Sequence, residues 1–276
     1  MTQAQVAVVP GTAPVRAVPG GVSRTLPARR TVMVIGGCGY VGHLLAPYQL
    51  VESMHYPGVG FSFDKRPCSD CAWKLQPGIR GDVTNLADLY FAAKGMGAIV
   101  YAAEGDVDDP HDLFDVAVHG VYNALLMARD RGVRRFILLS SLSVFSTGTG
   151  NIGGAPDFSE DAPPQCDHPD GVSVLNSEWL CRYFAETFGM SVIVLRISGP
   201  VADAKLLMDR AEMFARDPDD PVVFKTAASD LYRAIALAIE LEGHTGFDVV
   251  NICGDLTGAR VNLDKAKRLL GWEPTI

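Results

Sequence analysis

The chain has 276 residues, 48% of them hydrophobic, and a formal net charge of −8. This length can bury a substantial core as one large domain, or as one domain with a small appendage. The negative charge disfavours binding to nucleic acids or to anionic membranes. No apolar run reaches the roughly 20 residues that a membrane-spanning helix needs. We therefore expect neither a nucleic-acid partner nor a membrane partner.

Residues 1–30 differ in composition from the rest of the chain. They are rich in Ala, Val, Pro and Gly, and they carry four arginines and no acidic residue. A targeting peptide is conceivable, but the segment lacks a basic start followed by an apolar block and a small-residue cleavage site. The composition favours a disordered N-terminal tail.

From residue 31 onward, short apolar runs alternate with helix-compatible segments. Strands are predicted at 31–35, 58–63, 98–102, 135–139, 191–195 and 247–252. Helices are predicted from about residue 41, over 86–94, 113–131, 176–188 and 229–242, and from residue 264 until Gly271. Residues 201–225 show no clear strand. This alternation predicts an α/β fold with a doubly wound parallel sheet.

A glycine-rich motif follows the first predicted strand directly and opens a helix. It reads Gly36-Gly-Cys-Gly39-Tyr-Val-Gly42. The first glycine permits a sharp turn, the second lets the backbone approach a pyrophosphate, and the third allows close helix–strand packing. Free N–H groups and the helix dipole would then favour the phosphate charge. This strand–turn–helix context predicts a Rossmann dinucleotide-binding site.

Two acidic residues extend this prediction. Asp64 closes the second strand, 22 residues after Gly42, where a carboxylate can bind ribose hydroxyls and repel a 2′-phosphate. The position favours NAD over NADP, although Lys65 and Arg66 could accommodate the extra phosphate, and Asp64 could also be a solvated loop acid. Asp82 follows the place where the next strand should end. It could bind the adenine amino group, or it could cap the following helix.

Several landmarks together resemble the extended short-chain dehydrogenase/reductases, which include NAD-dependent epimerases and dehydratases. The Gly-x-x-Gly-x-x-Gly spacing is that group's version of the fingerprint. The stretch from Gly120 to Ser141, the segment Leu195-Arg-Ile-Ser-Gly-Pro200 and the segment Leu270-Gly-Trp-Glu-Pro274 are similar to its later landmarks. The likeness covers residues 31–276, and the part after Pro200 is shorter than usual.

The resemblance implies a catalytic serine, a tyrosine, and a lysine four residues after that tyrosine. Ser141 stands at the serine position. Where the Tyr-x-x-x-Lys pair would lie, the sequence places Asp170 for the tyrosine and Val174 for the lysine. Ala117 stands where the family has a helix asparagine. The resemblance thus predicts an atypical active site.

Two residues could replace the missing acid and base. Asp170 could abstract a proton, because burial beside the apolar Val174 would raise its pKa; it could also simply cap the following helix. His168 lies two residues earlier, in a loop that would face the substrate cleft, and histidine titrates near neutral pH. The predicted catalytic set is Ser141, Asp170 and His168.

The remaining cofactor contacts are predicted from their places in the motif and at the ends of strands. They are Tyr40, Val41, Lys65, Val83, Ala102, Ala103 and Ile197. The predicted organisation is a tail at 1–30, a Rossmann domain at 31–200, and a small C-terminal substrate lobe at 201–276 with a sheet strand near 247–252.

We therefore expect an NAD-dependent enzyme of the epimerase/dehydratase type, with NADP as a weaker cofactor. It would act on a small or nucleotide-linked substrate by redox or transient-redox chemistry. Loss of the Tyr/Lys pair leaves open a non-redox elimination, isomerisation or cyclisation on the same scaffold. It also leaves open a regulatory protein that senses a dinucleotide without turning it over.

The six cysteines are scattered through core and loop segments, which is typical of a reduced cytoplasmic protein. Cys68 and Cys71 have the spacing of a metal or redox pair, which Cys166 and His168 could complete. Without a second clean pair, ordinary loop cysteines are favoured and no metal is expected. The resemblance also implies a homodimer, paired through the helices at 113–131 and 176–188.

Overall fold

A computed structural model describes residues 31–52, 60–66, 78–145, 158–213, 225–256 and 261–276. The predicted disordered tail and the Cys68/Cys71 pair lie outside the described residues. No helix in these ranges is long and apolar enough to cross a membrane.

The described chain alternates strands and helices from its first residues to its last. The strands are β1 (Val32–Ile35), β2 (Gly60–Asp64), β3 (Gly78–Arg80), β4 (Ala98–Tyr101), β5 (Arg135–Ser141), β6 (Val192–Ile197) and β7 (Phe247–Ile252). The α-helices are α1 (Tyr40–Glu52), α2 (Leu86–Ala92), α3 (Pro110–Phe114), α4 (Val121–Arg131), α5 (Pro169–Phe188), α6 (Asp203–Met213), α7 (Ala228–Glu240) and α8 (Asp264–Leu270). A π-helical turn (Asp115–Gly120) joins α3 to α4, and a 3₁₀ turn (Leu142–Phe145) follows β5.

The seven strands form one sheet in the order β3-β2-β1-β4-β5-β6-β7, and every pairing is parallel. The chain winds outward from β1 in one direction and from β4 in the other. Such a reversal opens a crevice at the carboxyl ends of the two central strands, where α/β proteins bind their ligands. The predicted doubly wound parallel sheet is confirmed.

Helices cover both faces of this sheet, which explains why its central strands are mostly apolar. Every residue of β4 and of β6 is buried. One core layer packs the sheet against α2, α4 and α5, and it includes Leu89, Leu125 and Phe184. The opposite layer packs it against α1, α7 and α8. Strands buried on both faces need no polar alternation.

The structure corrects two helix predictions. Helix α5 begins at Pro169 and not at residue 176, because Pro169 occupies the first helical turn, where its missing N–H is not needed. Helix α6 lies within residues 201–225, for which the sequence analysis noted only that no clear strand is present. The segment after residue 200 also supplies β7 to the sheet, and its α7 packs against α1.

Candidate active site

The loop after β1 turns sharply at Gly36 and packs against the end of β4. Gly36 has φ +86°, a left-handed conformation that favours glycine. A Cβ on Gly36 would lie 2.5 Å from the Ala103 Cα. A Cβ on Gly42 would lie 2.2 Å from the carbonyl oxygen of Gly37, so α1 can begin this close to the loop only with glycine there. These contacts fix the loop across the sheet's point of reversal.

Gly39 is the glycine of the motif beside which space remains at the N-terminus of α1. A Cβ there would lie 3.1 Å from the Gly36 oxygen and 3.2 Å from a guanidinium nitrogen of Arg66, with no backbone closer. The N–H groups of Tyr40 and Val41 belong to the first turn of α1, where helices lack internal acceptors. The side chain of Val41 itself is buried in the core. This end of α1 can therefore receive an anion through its backbone.

Asp64 ends β2 directly beside this loop. It is 7% exposed, and its Oδ2 accepts a hydrogen bond from the Cys38 N–H at 3.0 Å. Its Oδ1 accepts the Arg66 N–H at 2.8 Å. Asp64 is therefore an organised carboxylate and not a solvated loop acid, and it ties the tip of β2 to the glycine loop. Lys65 points elsewhere, since its Nζ lies 3.3 Å from Oδ1 of Asp112.

Asp82 lies in the turn after β3. Its Oδ1 accepts the N–H of Thr84 at 2.9 Å and the Thr84 hydroxyl at 2.8 Å. The N-cap of α2 is Asn85, so the prediction that Asp82 might cap this helix is wrong. Asn123, which the sequence did not single out, donates from Nδ2 to the Val83 carbonyl at 3.1 Å and so holds this turn. The side chain of Val83 is buried.

The other predicted cofactor residues lie at the carboxyl ends of the central strands or at the start of α1. Ala102 and Ala103 follow β4, and Ile197 ends β6 with its side chain buried. The Tyr40 hydroxyl donates to the Pro200 carbonyl at 2.9 Å, although the side chain is 59% exposed. Tyr40 thus joins the glycine loop to the segment after β6.

Ser141, the predicted catalytic serine, is the last residue of β5 and is paired with Ile197 of β6. Its Oγ accepts the Ser143 N–H at 3.0 Å, which leaves its own proton available to a ligand. The residue therefore stands at the carboxyl edge of the sheet, in the same crevice as the glycine loop.

Asp170 and Val174 lie one turn apart at the start of α5. The N-cap of α5 is His168, so the alternative that Asp170 caps the helix is wrong. Val174 packs against an apolar cluster that contains Leu142 and Phe145. His168 is exposed and makes no side-chain capping hydrogen bond. That Asp170 and Val174 replace the family's Tyr and Lys stays a prediction.

The sequence holds one Tyr-x-x-x-Lys spacing, Tyr90 to Lys94. Tyr90 lies on α2, and its hydroxyl donates to Asp130 near the end of α4. Helix α4 leads into the first residue of β5, so Asp130 stands at the amino edge of the sheet. This pair is therefore on the side opposite to the crevice.

The π-helical turn gives Ala117 a role that the sequence did not reveal. A π turn breaks the regular bonding of a helix and leaves carbonyls in need of donors. The Ala117 carbonyl accepts the Ser177 hydroxyl at 2.6 Å, and the Val116 carbonyl accepts the Tyr101 hydroxyl at 2.6 Å. These bonds join α5 and β4 to the turn at the position where the family asparagine was expected.

A buried ion pair joins α5 to β6. Arg196 donates from Nε and Nη2 to the two carboxylate oxygens of Glu178 at 2.9 and 2.8 Å, and both side chains are 4% exposed. The Ser140 hydroxyl donates to the same carboxylate at 2.5 Å. The pair thus fixes α5, which carries Asp170, to the two strands that end at Ser141 and Ile197.

Glu104 is a residue that sequence reasoning missed. It follows Ala103 at the carboxyl edge of β4 and remains accessible to solvent. Partial desolvation raises the pKa of Glu104, and the negative charge of Asp170 raises it further. One acidic residue after a strand gives no local signal, and the coupling arises only because the fold brings α5 to the end of β4.

Among the described residues, no cluster of three His, Cys, Asp or Glu side chains could hold a metal ion. Cys166, Cys181 and Cys253 form no disulfide. Cys38 is disulfide-bonded, so the expectation of a fully reduced protein is wrong at this position.

A dinucleotide fits the residues that are present. The glycine loop leaves room for a pyrophosphate at Gly39, the end of α1 offers N–H groups, and Asp64 is held beside them. Ala102, Ala103 and Ile197 at the carboxyl ends of β4 and β6 carry small or buried side chains.

Comparison with known proteins agrees with this geometry. Residues 32–209 match the NAD dependent epimerase/dehydratase family. The chain is 28% identical over 204 residues to a decarboxylating sterol-4-alpha-carboxylate 3-dehydrogenase of Bos taurus, covering 72% of this chain and 45% of that one. It is 20% identical over 303 residues to a UDP-glucuronate 4-epimerase of Thermodesulfobacterium geofontis, covering 88% of this chain and 91% of that one. It therefore spans less than half of the first relative.

Solved structures show the same fold at low sequence identity. The UDP-glucose 4-epimerase of Brucella ovis in complex with NAD has a TM-score of 0.70 and 18% identity, with 89% of this chain and 94% of that chain covered. A short-chain dehydrogenase/reductase superfamily protein of Agrobacterium tumefaciens with bound NAD has a TM-score of 0.68 and 19% identity, with 89% and 93% covered. With the match over most of the sheet, these findings show that the chain belongs to the NAD dependent epimerase/dehydratase family and has an extended short-chain dehydrogenase/reductase fold.

Proposed function

We propose that this protein is an NAD-dependent enzyme that acts on a small or nucleotide-linked substrate by redox or transient-redox chemistry. The observation that carries the proposal is the glycine loop at the sheet's point of reversal, with Asp64 fixed beside the first turn of α1. This arrangement offers N–H donors to a pyrophosphate and a carboxylate to a ribose.

The residues of the crevice divide between the two halves of the cofactor. Gly39, Tyr40 and Val41 would hold the pyrophosphate through their backbone, and Asp64 would accept hydrogen bonds from the adenosine ribose. Asp82 and Val83 would lie beside the adenine. Ala102, Ala103 and Ile197 would form the floor under the nicotinamide half. When bound, NAD supplies hydride transfer, and the protein supplies orientation and proton movement.

Three side chains are proposed to handle the substrate. Ser141 would donate a hydrogen bond to a substrate oxygen, since its own Oγ already accepts the Ser143 N–H. Asp170, or the exposed His168, would move the proton. The names of the relatives support a sugar nucleotide or a fused-ring alcohol as the class of substrate. Residues 201–276 would contribute the substrate lobe.

The test is a calorimetric titration with NAD and NADP. Gly39→Ala should weaken NAD binding by at least about tenfold, because the added methyl group occupies the path of the pyrophosphate. Gly78→Ala is the matched control, since a Cβ on Gly78 meets nothing within 4 Å. Wild-type protein that binds neither nucleotide, and carries none through purification, would overturn the proposal.

A second candidate function is dinucleotide sensing without turnover. It is favoured by Val174, which packs in an apolar cluster and cannot donate to a ribose. Asp170→Ala and His168→Ala, made singly, separate the two functions. They should abolish turnover if the protein is an enzyme, and they should leave NAD and partner binding unchanged if it is a sensor.

We also propose a homodimer formed by α4 and α5. Tyr122, Trp179 and Tyr183 on these helices are 42%, 61% and 51% exposed, which is unusual for large aromatic side chains. A groove of about 410 Å³ beside them is lined by Phe114, Val118, His119 and Leu180, among others. Light scattering should give the mass of a dimer for wild-type protein and that of a monomer for Trp179→Ser, whereas Phe91→Ser on α2 should remain dimeric.

A cytoplasmic location is part of the same proposal. It is supported by Cys166 and Cys181, which form no disulfide, whereas the disulfide at Cys38 counts against it. Fractionation of cells that express the full chain tests it, and recovery in an oxidising compartment would contradict it.

A further inference from the structure

A second group of polar side chains lies at the amino edge of the sheet, on the side opposite to the crevice. The hydroxyl oxygen of Ser191 lies 2.7 Å from Nδ1 of His244. Nε2 of His244 lies 3.1 Å from Oδ2 of Asp248, and Oδ1 of Asp248 lies 2.8 Å from Nζ of Lys265. Ser191, His244 and Asp248 are therefore joined by two consecutive side-chain contacts, and we call them the amino-edge triad.

The sheet fixes the backbone that carries this triad. Ser191 immediately precedes β6, and Asp248 is the second residue of β7, which pairs in parallel with β6. The loop that carries His244 is tied to the same strand, because the Val192 N–H donates to the Gly246 carbonyl at 2.8 Å. The three side chains thus come from two neighbouring strand starts and the loop between them.

The His244 ring is suited to accept a proton. It is 5% exposed, and burial lowers its pKa, with the hydrogen bond to Asp248 opposing this effect. When the proton of the neutral ring is on Nε2, this nitrogen donates to Asp248, and the lone pair of Nδ1 faces the Ser191 hydroxyl. The hydroxyl oxygen also lies 3.0 Å from the main-chain carbonyl of His244, so the serine proton has two acceptors within reach. A nucleophile, a base beside it and a third group that orients the base are the signature of nucleophilic catalysis.

A buried cation stands next to the serine. Arg135 begins β5, and Ser191 is its neighbour on the adjoining strand, since the Phe136 N–H donates to the Ser191 carbonyl at 3.0 Å. Arg135 is 2% exposed, and its Nη2 donates to the Leu241 carbonyl. Within the described ranges, its Nε and Nη1 have no hydrogen-bond partner. A buried charge without a counter-charge is costly, so these donors favour an oxygen that carries negative charge.

Arg135 and the triad lie on the same side of the sheet. Two residues after Arg135, Ser191 and Asp248, each strand places a side chain in the core layer beside α7. These side chains are Ile137, Ile193 and Val250. Residues two apart on a strand face the same side, so all three polar side chains belong to that side. The charge of Arg135 also contributes, after burial, to the lowered pKa of His244.

We propose that the amino-edge triad is a second catalytic site, which hydrolyses esters of short acyl groups. Ser191 is the nucleophile, His244 is the base, and Asp248 orients the base. The unpartnered N–H groups of Arg135 stabilise the oxyanion that forms during the attack.

The covering of the triad defines the size of its substrate. Ser191 is half-buried and the His244 ring is almost covered, so the room beside the hydroxyl suits an acyl group of a few atoms. Access is from the loop side. A Cβ on Gly243 or on Gly246 would meet nothing within 4 Å, so this loop packs loosely against the rest of the chain.

The reaction needs only an ester and water. Oγ of Ser191 forms a bond to the acyl carbon, its proton passes to Nδ1 of His244, and the electron pair of the C=O π bond moves to the carbonyl oxygen. The C=O bond then re-forms while the bond to the alkoxy oxygen breaks, and that oxygen takes the proton from His244. Water attacks the acyl-serine in the same way, with its proton passing to His244. The acyl group leaves as a carboxylic acid, and Oγ recovers its proton.

The test treats the full chain with a fluorophosphonate probe, which phosphonylates activated serines with loss of fluoride, and locates the adduct by mass spectrometry. Wild-type protein should gain one probe, on the peptide that contains Ser191. His244→Asn should slow this labelling by at least about 100-fold, because the base is lost, and Asp248→Asn should slow it by at least about tenfold. Hydrolysis of p-nitrophenyl acetate should fall in parallel, and thermal melting checks that the variants fold.

Ser229→Ala is the matched control. Ser229 is also half-buried, but its hydroxyl has no hydrogen-bond partner in the described part of the chain and therefore no base beside it. This variant should be labelled as fast as wild-type protein. Wild-type protein that gains no probe, carries it on another peptide, or is labelled no faster than His244→Asn overturns the inference. The site of the adduct is found in wild-type protein, so this result does not depend on the folding of a variant. No nucleotide takes part, so a negative result leaves the proposed function intact.

Discussion

Replacing Glu178 by glutamine removes one charge from the buried ion pair while keeping the shape of the side chain. Arg196 is 3% exposed and makes its two side-chain hydrogen bonds to this carboxylate. After the replacement its charge remains buried without a counter-charge. Breaking such a pair from one side costs about 3–5 kcal/mol, a large part of the roughly 5–15 kcal/mol that stabilises a typical protein.

Urea unfolding followed by circular dichroism measures this cost. With a slope of about 2–3 kcal/mol per molar urea, a loss of 3 kcal/mol lowers the midpoint by about 1–1.5 M. Glu178→Leu combined with Arg196→Met removes both charges. The double variant should recover at least half of the loss, because no charge is left unpaired and the methionine can still pack on the Phe145 ring that Arg196 now covers.

Two results would refute this reasoning. One is a loss below about 1 kcal/mol in Glu178→Gln, which would mean that solvent or another group neutralises Arg196. The other is a double variant whose loss equals the sum of the two single losses, since independent sites add and coupled sites do not.

Two further predictions concern the glycine loop and the amino edge of the sheet. Gly42→Ala should lower the free energy of unfolding by about 1–3 kcal/mol, because its Cβ would lie 2.2 Å from the backbone of Gly37. Gly78→Ala, the control, should change the free energy of unfolding by no more than about 0.5 kcal/mol. Equal melting temperatures of the two variants would contradict this prediction. Burial lowers the pKa of His244 in the folded protein, with Asp248 opposing, so the unfolded chain binds the proton more readily. The stability from neutral His244 is therefore complete above its unfolded pKa of about 6.5 and is lost as the pH falls below it. His244→Asn should flatten the decline in melting temperature between about pH 7 and pH 5, and identical slopes would show that His244 is not responsible.

The strands were predictable because a doubly covered parallel sheet imposes a simple pattern. Each residue of β4 and of β6 is buried, so β4 appears in the sequence as an uninterrupted apolar run and β6 as an apolar run that contains one charged residue, Arg196. Strand ends were less predictable. Strand β5 continues through Ser140 and Ser141, because Ser140 is satisfied by Glu178, a partner 38 residues away. Polar residues at a strand end look like a loop until their partners are known.

Helix boundaries were predicted wrongly where the local sequence is compatible with both a turn and a helix. Pro169 and Gly171 predict a turn when considered alone. In the structure Gly171 lies in the first turn of α5, and this position needs glycine because a Cβ there would lie 2.5 Å from the Ser143 carbonyl oxygen. The π-helical turn was not predictable either, since its carbonyls are satisfied by Tyr101 and Ser177, which are distant in sequence.

The adenosine side of the candidate site was predictable and the nicotinamide side was less so. Asp64 could be identified because it ends a strand at a fixed distance from the glycine motif. Asp82 offered two roles, and the presence of Asn85 as the helix cap excludes one of them. Glu104 belongs to no motif. Asp170, whose charge raises the pKa of Glu104, lies on α5, which is separated from β4 by more than sixty residues.

The place of β7 in the sheet determines when the edge of β6 becomes covered during protein synthesis. Strand β7 is the last strand in sequence, and it covers the outer edge of β6, whose six residues are all buried in the finished protein. Until residue 252 has left the ribosome, this edge exposes an unpaired backbone and apolar side chains to other nascent chains. In a fragment ending near residue 200, β6 would remain an unpaired edge strand. We therefore expect such a fragment to aggregate rather than to act as an isolated nucleotide-binding unit.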